Sequence, residues 1–273
     1  MNKEDFFIQQ FKDSTHIGDD GAVIGKWVYS MDAFYEDVHF KRDWMSLKQI
    51  AKKAMLVNIS DAIVMNAVPK YALLSVAIPK ELTTKQLKKL AQGFKFVAKQ
   101  YNMQIIGGDT IANDKLHISV TIVSQTKKPM MRTGTQIDDM ICYTGKLGSV
   151  QRDLDSLLDG KKLDRKSKFI TPQLQAEFFY AVAPYINSAL DISDGLFFEL
   201  ERLSKANKIG FDFVKPIKTN IGCSGEEYEI LFTFNPKYQN KIQKIAGKYK
   251  VKLNIFAKAK KGKYQCRCTK HHF

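Results

Sequence analysis

The sequence lacks several features that would assign it to a particular class of protein. Its longest apolar runs fall short of the roughly 18 residues that a membrane-spanning helix needs, so we expect no membrane partner. Four cysteines in 273 residues are too few for a disulfide-stabilised scaffold. The N-terminus is charged and poor in apolar residues, unlike a signal peptide. These absences predict a cytoplasmic globular protein.

The common phosphate-binding and catalytic motifs are missing as well. There is no Gly-x-x-x-x-Gly-Lys-Ser/Thr loop, no Gly-x-Gly-x-x-Gly after a strand and no His-Arg-Asp catalytic loop. Acids are scarce, because 43 lysines and arginines against 28 aspartates and glutamates give a formal net charge of +15. The lysines are spread over predicted helix faces, so we expect no nucleic-acid partner. The basic background would still favour a phosphorylated ligand.

Hydrophobic periodicity predicts a chain of mixed helices and strands. Apolar residues recur at helical spacing from Ser46 to about residue 66, with Ser46 as the N-cap. Ser60 and Asp61 interrupt this stretch, which leaves one long helix or two helices as alternatives. The clearest helix is predicted over residues 84–101, because its apolar stripe lies opposite a row of lysines. The element order predicts an α+β or α/β fold class.

The length predicts about two domains. The polar stretch 125–135 contains a proline and a glycine and is the best candidate for the boundary between them. We therefore predict an N-terminal domain of residues 1–132 and a C-terminal domain of residues 133–273.

One segment, Ile105-Ile106-Gly107-Gly108-Asp109-Thr110, is predicted to be a short buried strand that ends in a turn. Its glycines lack Cβ atoms, so another group can approach the main chain closely. Alone, such a segment is more often a plain turn. Its importance comes from similar segments elsewhere, which give these candidate strand-end aspartates, seven if Asp37 is counted: Asp20, Asp32, Asp37, Asp61, Asp109, Asp191 and Asp194.

These aspartates would repel one another if the fold brought them together. Two charges about 4 Å apart cost roughly 4 kcal/mol at an effective dielectric constant of 20. Such a cluster persists only when cations bind to it, and carboxylates without histidine or cysteine partners favour Mg²⁺, which also binds phosphates. The pattern therefore predicts a magnesium–nucleotide site.

Six motifs occur in an order that resembles the thiamine-monophosphate kinase family, from the superfamily that includes aminoimidazole ribonucleotide synthetase. They are Ile17-Gly-Asp-Asp20-Gly-Ala-Val, Asp32 with Val38-His39-Phe40, Asn58-Ile-Ser-Asp61, Ile106-Gly-Gly-Asp109-Thr, Asp191-Ile-Ser-Asp194-Gly-Leu and Gly225-Glu-Glu-Tyr-Glu-Ile-Leu-Phe-Thr. The resemblance implies the two-domain aminoimidazole ribonucleotide synthetase-like fold and a homodimer joined through the N-terminal sheets. It also implies phosphorylation of thiamine monophosphate to thiamine diphosphate, with ATP as co-substrate and several Mg²⁺ ions.

The resemblance further implies roles for individual residues. The implied metal ligands are Asp20, Ser30, Asp32, Asp61, Asp109, Asp191 and Asp194. The implied ATP contacts are Gly108, Asp109, Arg132 and Ser193, and the implied substrate contacts are His39 and Glu226. Arg132 would also stabilise charge in the transition state, with no general base, because the acceptor phosphate is already ionised. From the residues alone, His39 is also consistent with a half-buried strand-end histidine and Arg132 with a charge in a linker.

Several alternatives stay open. One is another ATP-dependent enzyme of the same superfamily: aminoimidazole ribonucleotide synthetase, selenophosphate synthetase or the hydrogenase-maturation dehydratase. Another is a non-catalytic nucleotide- or RNA-binding protein. In the tail, Cys266 and Cys268 with His271 and His272 form a weak candidate zinc site. Lys270 stands where the family has an aromatic side chain against the substrate.

Overall fold

The computed structural model describes residues 3–11 and 13–269, and this part of the chain forms ten strands and eight α-helices. The strands are β1 (Ala22–Ile24), β2 (Trp27–Tyr35), β3 (Val68–Pro79), β4 (Gln104–Asn113), β5 (His117–Gln125), β6 (Met140–Thr144), β7 (Ser188–Asp191), β8 (Ile209–Phe213), β9 (Ile230–Phe234) and β10 (Leu253–Lys261). The helices are α1 (Lys3–Gln9), α2 (Leu47–Val64), α3 (Thr84–Gln100), α4 (Ser149–Leu158), α5 (Ala176–Val182), α6 (Leu196–Asn207), α7 (Thr219–Gly222) and α8 (Gln239–Tyr249).

The first sheet has the strand order β1-β2-β5-β3-β4. Its pairs are antiparallel except β3 and β4, which run parallel because α3 connects them. Along β2, Val28, Ser30 and Phe34 are buried beneath α2, whereas Tyr29 and Met31 point to the exposed opposite face. The sheet therefore has one face in the core and one face open.

Helix α2 is continuous from Leu47 to Val64, so the alternative of two helices is wrong. Ser46 begins it with the predicted N-cap: its side chain accepts a hydrogen bond from the Gln49 backbone, and the Gln49 side chain bonds back to Ser46. The helix is buried on nearly all sides because it packs against β2 and β5 of the first sheet and against β7 and α5 of the second half. It is therefore the structural link between the two halves.

The second sheet has the order β7-β9-β6-β10-β8, with antiparallel pairing throughout. Its strands are apolar, and β9 is buried along its whole length. The predicted mixture of helix and sheet is confirmed. The predicted boundary after residue 132 lies in the segment that connects β5 to β6, and the division into domains stays a prediction. Within residues 3–11 and 13–269, every helix is too short or too polar to cross a membrane.

Candidate active site

Two cavities adjoin one another between the sheets, with volumes of about 580 and 550 Å³. The first, called the acidic cavity below, is lined by the carboxylates Asp19, Asp20, Asp32, Asp61, Asp191, Asp194, Glu201 and Glu226. The second, called the apolar cavity, is lined by Val38, Phe40, Trp44, Leu154, Leu158 and Phe169, among others. The wall common to both contains His39, Ser193, Asp194 and Glu226.

Three carboxylates form the centre of the acidic cavity. Oxygen atoms of Asp20, Asp61 and Asp191 all lie within 4.8 Å of one another. Each comes from a different element: Asp20 precedes β1, Asp61 lies in the last turn of α2, and Asp191 ends β7. The predicted convergence of acids is therefore present, although Asp61 is in a helix and not at the end of a strand.

The charges of this cluster are poorly solvated. Burial, together with the neighbouring charges of Asp32 and Asp191, raises the pKa of Asp61 well above its ordinary value. Burial and the charge of Asp20 raise the pKa of Asp191 in the same way, opposed by a hydrogen bond of 2.6 Å that the Ser60 hydroxyl donates to it. A set of crowded carboxylates without nitrogen or sulfur donors fits a hard divalent cation such as Mg²⁺.

Asp32 lies beside the three carboxylates, in the middle of β2 and not at its end as predicted. Burial and the charge of Asp20 raise its pKa to about 6, and its side chain is hydrogen-bonded to Asp61. The backbone N–H of Asp32 donates to the Asn58 side chain at 2.6 Å. The hydroxyl of Ser30 donates to the Asn58 carbonyl oxygen at 3.3 Å, so Ser30 is directed to α2 and is not part of the cavity wall.

Arg132 lies in the acidic cavity and is not a charge in a solvated linker. Its guanidinium is 2.5 Å from an Asp20 carboxylate oxygen. Its backbone N–H donates to the Asp19 carboxylate at 2.6 Å, and its carbonyl oxygen accepts from the Asn207 side chain at 2.8 Å. These contacts fix both the backbone and the side chain of Arg132. Sequence reasoning missed Asp19, although it stands next to Asp20 in the first motif.

Asp194 also lines the acidic cavity, but it lies outside the group of three carboxylates. Its carboxylate pairs with Arg202, and the same guanidinium donates to both carboxylate oxygens of buried Glu199, at 2.6 and 2.8 Å. Arg202 and Glu199 were not predicted. They follow Asp194 on the first two turns of α6, where a charged pair at i and i+3 is the signal that could have found them.

Gly108 and Asp109 lie away from both cavities. Strand β4 is exposed and runs on to Asn113, so the predicted buried strand ending at Asp109 is wrong. At Gly108, which has a positive φ, a Cβ atom would lie 1.8 Å from the Leu74 carbonyl oxygen. The group that approaches this glycine is therefore the neighbouring strand β3. The Asp109 carboxylate accepts a hydrogen bond from the Thr110 backbone at 2.8 Å.

Asp37 is not part of the cluster either. It lies in the turn after β2 with a positive φ, and its carboxylate is 2.5 Å from the Lys115 ammonium. This hydrogen bond lowers the pKa of Asp37 below its ordinary value. Its place in the apolar cavity wall is at the exposed rim.

His39 and Glu226 lie in the wall between the cavities. His39 is half-buried, and its Nδ1 accepts a hydrogen bond from the Tyr35 backbone at 3.0 Å. Glu226 has a positive φ, and its backbone N–H donates to the Ser193 carbonyl oxygen at 2.5 Å. Its Oε2 is 2.8 Å from the Nζ atom of Lys53 on α2. Lys53 was not predicted.

The other acids of the Gly225-Glu226-Glu227-Tyr228-Glu229 motif are structural. Glu227 is fully buried and accepts hydrogen bonds from the Gly148 backbone at 2.6 Å and from the Ser224 hydroxyl at 2.7 Å. Lys168 is 3.0 Å from Glu227 and 2.8 Å from Glu229. These contacts hold the start of α4 against the strand-end motif. Among the three acids of the motif, Glu226 is the one that lines the two cavities.

The C-terminal segment does not provide the zinc site considered above. Cys268 forms a disulfide with Cys223, so its sulfur is not available as a thiolate ligand. Cys266 is a free thiol. Lys270, His271 and His272 lie outside the described residues. The disulfide instead attaches this segment to residue 223, three positions before Glu226.

Residues 18–126 match the model of the family described as AIR synthase related protein, N-terminal domain. The matched residues include the five strands of the first sheet and the motifs around Asp20, Asp32, Asp61 and Asp109. A thiamine-monophosphate kinase from Rhodopirellula baltica is 32% identical over 254 residues, which are 81% of this chain and 76% of that protein. The chain belongs to the thiamine-monophosphate kinase family, which confirms the resemblance seen in the motifs.

Two further comparisons agree with this assignment. A thiamine-monophosphate kinase from Bacillus subtilis is 32% identical over 216 residues, which are 73% of this chain and 66% of that protein. A solved structure described as AaThiL complexed with AMPPCP and TMP superposes with a TM-score of 0.84 at 23% identity, covering 97% of this chain and 94% of that one. At this identity the structural likeness shows the shared fold.

Proposed function

We propose that the protein transfers the γ-phosphoryl group of ATP to thiamine monophosphate, giving thiamine diphosphate and ADP. The observation that carries this proposal is the joining of an acidic cavity to an apolar cavity through His39 and Glu226. A phosphoryl transfer to thiamine monophosphate needs both environments, because the phosphates require cations and the thiamine rings require apolar contact. The names of the relatives support the same reaction. ATP is an intracellular compound, which supports a cytoplasmic location.

The acidic cavity would bind Mg²⁺ through Asp20, Asp61 and Asp191, with Asp32 and Asp194 as further ligands. Bound Mg²⁺ supplies positive charge that neutralises the phosphates. The supporting observations are the oxygen-only donor set, the 4.8 Å limit between the three carboxylates and the raised pKa values of Asp61 and Asp191. Ser30 fits this role less well, because its hydroxyl is bonded to the α2 backbone.

The chain's own residues would position the two substrates. Arg132 and Ser193 line the acidic cavity and would contact the phosphates of ATP. Arg132 provides a charge that is fixed by Asp19 and Asp20 before any ligand arrives, so little reorganisation is needed when charge develops during transfer. The acceptor oxygen belongs to a phosphate that is ionised near neutral pH, and no general base is required.

The apolar cavity would hold the rings of thiamine monophosphate. Trp44 and Phe169 lie edge to face with their ring centroids 6.2 Å apart and provide aromatic surface for the cationic thiazolium ring. His39 and Glu226 stand where this cavity meets the acidic cavity, so they would contact the substrate.

A homodimer is part of the proposal. The open face of the first sheet and its edge strand β4 carry these exposed apolar side chains: Tyr29, Met31, Leu73, Ile105, Ile106 and Ile111. An exposed apolar edge strand is a site for association. A second copy would cover this face.

The role implied for Asp109 depends on that dimer. The β-sheet register aligns Asp109 with Ser75 on β3, Ser119 on β5 and Ala33 on β2. Ala33 alternates along β2 with the residues that lie beneath α2, so this row of side chains, including Asp109, points to the open face. Three strand spacings of about 4.8 Å separate β4 from β2. Asp109 therefore cannot join the carboxylate cluster of its own chain, and we propose that it acts, with Gly108, in the site of the partner subunit.

The direct test is to incubate the protein with ATP, Mg²⁺ and thiamine monophosphate and to separate the products by chromatography. We expect thiamine diphosphate and ADP in equal amounts. Free thiamine serves as the control acceptor, and we expect little product from it because it lacks the phosphate. Equal turnover of both acceptors, or ATP hydrolysis without thiamine diphosphate, would contradict the proposal.

Mixed dimers test the shared site. Asp61→Asn and Asp109→Asn should each abolish turnover, whereas unfolding and refolding the two variants together should restore activity. In a statistical mixture about a quarter of all sites have both aspartates intact, because half of the dimers are mixed and one of their two sites is complete. Failure of the mixture to recover activity, with dimers present by light scattering, would show that Asp109 does not act across the interface.

A further inference from the structure

A fully buried lysine stands behind the wall that separates the two cavities. The side chain of Lys53 has no solvent exposure. Its Nζ lies 4.0 Å from the centroid of the Phe169 ring and 5.6 Å from that of Phe34. Its carboxylate partner is Glu226 Oε2, at 2.8 Å. Lysine is seldom buried completely, and an apolar residue of similar length would avoid the desolvation of its charge.

Glu226 is only half satisfied by this pair. Its second oxygen, Oε1, is buried and accepts no hydrogen bond from the described residues. The backbone of Glu226 is in the left-handed region, and its N–H is held by Ser193. The side chain is therefore fixed at both ends, with one carboxylate oxygen left for a donor that residues 3–11 and 13–269 do not provide.

We propose that Lys53 is a positioning residue for substrate recognition. It binds Oε2 of Glu226 and leaves Oε1 to accept a hydrogen bond from the amino group on the pyrimidine ring of thiamine monophosphate. This inference rests on the proposed function. It assigns Lys53 a role in the affinity for the acceptor and none in the binding of ATP, because Lys53 contacts neither cavity directly.

The helix geometry explains how Lys53 reaches this position. Lys53, Val57, Ser60 and Asp61 are separated by four, three and one residues, so they lie on one side of α2. Val57 and Asp61 line the acidic cavity, and Ser60 donates to Asp191. Lys52, the neighbouring lysine, points elsewhere, with its Nζ 3.5 Å from the centroid of the Phe96 ring.

The test compares Lys53→Met with Lys52→Met, the same substitution one position away. We expect Lys53→Met to raise KM for thiamine monophosphate about tenfold, as expected when one charge-assisted hydrogen bond is weakened. The KM for ATP and kcat should stay within about twofold of the wild-type values, and Lys52→Met should resemble the wild type. A tenfold weaker binding of thiamine monophosphate in calorimetry without ATP should accompany the change.

A double-mutant cycle separates positioning from a merely structural role. If Lys53 acts through Glu226, the KM of the Lys53→Met, Glu226→Gln double variant should equal that of Glu226→Gln within about twofold. The inference would be overturned if the effects of the two substitutions on this KM multiply in the double variant. It would also be overturned if Lys53→Met leaves the KM for thiamine monophosphate unchanged or raises the KM for ATP equally.

Lys53→Gln provides a second measurement if Lys53→Met does not fold. Its amide can still donate to Glu226 but carries no charge, so we expect a smaller rise in the same KM. Lys53 would have a role in folding alone if Lys53→Met is unfolded while Lys53→Gln is folded and keeps the wild-type KM for thiamine monophosphate. Wild-type protein that neither binds nor phosphorylates thiamine monophosphate would overturn the proposed function and this inference together, whereas active wild type with an unaffected variant overturns the inference alone.

Discussion

Neutralising Asp61 should stabilise the metal-free protein while abolishing its response to Mg²⁺. In Asp61→Asn the side chain keeps its size but loses the charge that Asp20, Asp32 and Asp191 repel. The metal-free fold then contains a smaller cluster of like charges. In the proposed magnesium site the same charge holds the cation, so the variant should lose nearly all turnover.

The magnitude follows from the spacing of the carboxylates. At the 4.8 Å limit between their oxygens, each ionised pair costs about 3.5 kcal/mol at an effective dielectric constant of 20. Asp61 has two such partners, and attraction to Arg132 and proton uptake by the cluster offset much of the repulsion. We expect a net gain of about 2 kcal/mol, which corresponds to a rise of roughly 4–6 °C in Tm for a chain of this size.

The effect should depend on pH with a definite sign. The pKa of Asp32 is raised to about 6 from an ordinary value of 3.8. A carboxyl with a raised pKa in the folded state contributes stability below its unfolded value and loses that contribution as the pH rises through the folded value. The Tm of the metal-free wild type should therefore fall between about pH 4 and pH 7, and the advantage of Asp61→Asn should be larger at pH 7.5 than at pH 5.

Thermal unfolding in EDTA and in Mg-ATP measures both consequences on one sample. The wild type should gain stability from Mg-ATP, and Asp61→Asn should gain much less, because a ligand that binds the native state weakly stabilises it weakly. Asp212→Asn is the control, since Asp212 is exposed and 3.8 Å from Lys260, outside both cavities. A lower metal-free Tm for Asp61→Asn, or an unchanged shift with Mg-ATP, would refute the metal-site reasoning.

Three further outcomes test other parts of the structure. Arg132→Lys should raise KM for ATP at least about tenfold with little change in Tm, because lysine cannot replace the several fixed N–H donors of a planar guanidinium. Unchanged kinetics would show that Arg132 does not act in the site. Reduction of the Cys223–Cys268 disulfide, or Cys223→Ser, should lower the free energy of unfolding by about 4 kcal/mol, the value that the chain-entropy model gives for a separation of 45 residues. Cys266→Ser is the control and should not lower it. Equal Tm values with and without reductant would contradict this. Ile106→Lys should shift the protein from dimer to monomer in light scattering without unfolding it, because the side chain is 54% exposed in the single chain; a persistent dimer would place the interface elsewhere.

The acidic residues at the centre of the site could be predicted from the sequence because each of them is recognised from the residues around it in the chain. Asp20 precedes Gly21, Asp61 follows Ser60, and Asp191 ends an apolar run two residues before Ser193; the scarcity of acids made this repetition visible. Helix α2 begins at the N-cap predicted at Ser46, since capping depends on neighbouring residues alone. Local patterns identified the acidic residues, and the structure brings three of them together.

The position of Asp109 could not be predicted because it depends on strand order. Its motif resembles the others, and nothing local distinguishes β2, whose Asp32 lies in the cluster, from β4 at the other end of the sheet. Strand order is set by which connections pack on which face, a property of the whole domain. The side of the sheet to which Asp109 points is set by register, and one residue of slip would reverse it.

Lys53 was missed for a different reason. It stands beside Lys52 in a helix with apolar periodicity, and such lysines usually lie on the solvated face. The side of the helix that carries Lys53 is enclosed instead, because Lys53 packs against Phe169 and pairs with Glu226 of the second half. The available signal was a lysine in a segment that both halves bury, and this signal can be recognised only once the arrangement of the sheets and helices is known.

The position of α2 between the halves has a consequence for how the gene encoding this protein can change. Lys53 pairs with Glu226, Asp61 belongs to the carboxylate cluster, and both residues lie on one continuous helix. The eight positions from Lys53 to Asp61 therefore fix the distance and the rotation between these two contacts. A single inserted residue would turn one end relative to the other by about 100° and lengthen the helix by about 1.5 Å. No repacking of one half could restore Glu226 and the carboxylate cluster together. Between Lys53 and Asp61, evolution can therefore change the sequence by substitution but not by insertion or deletion.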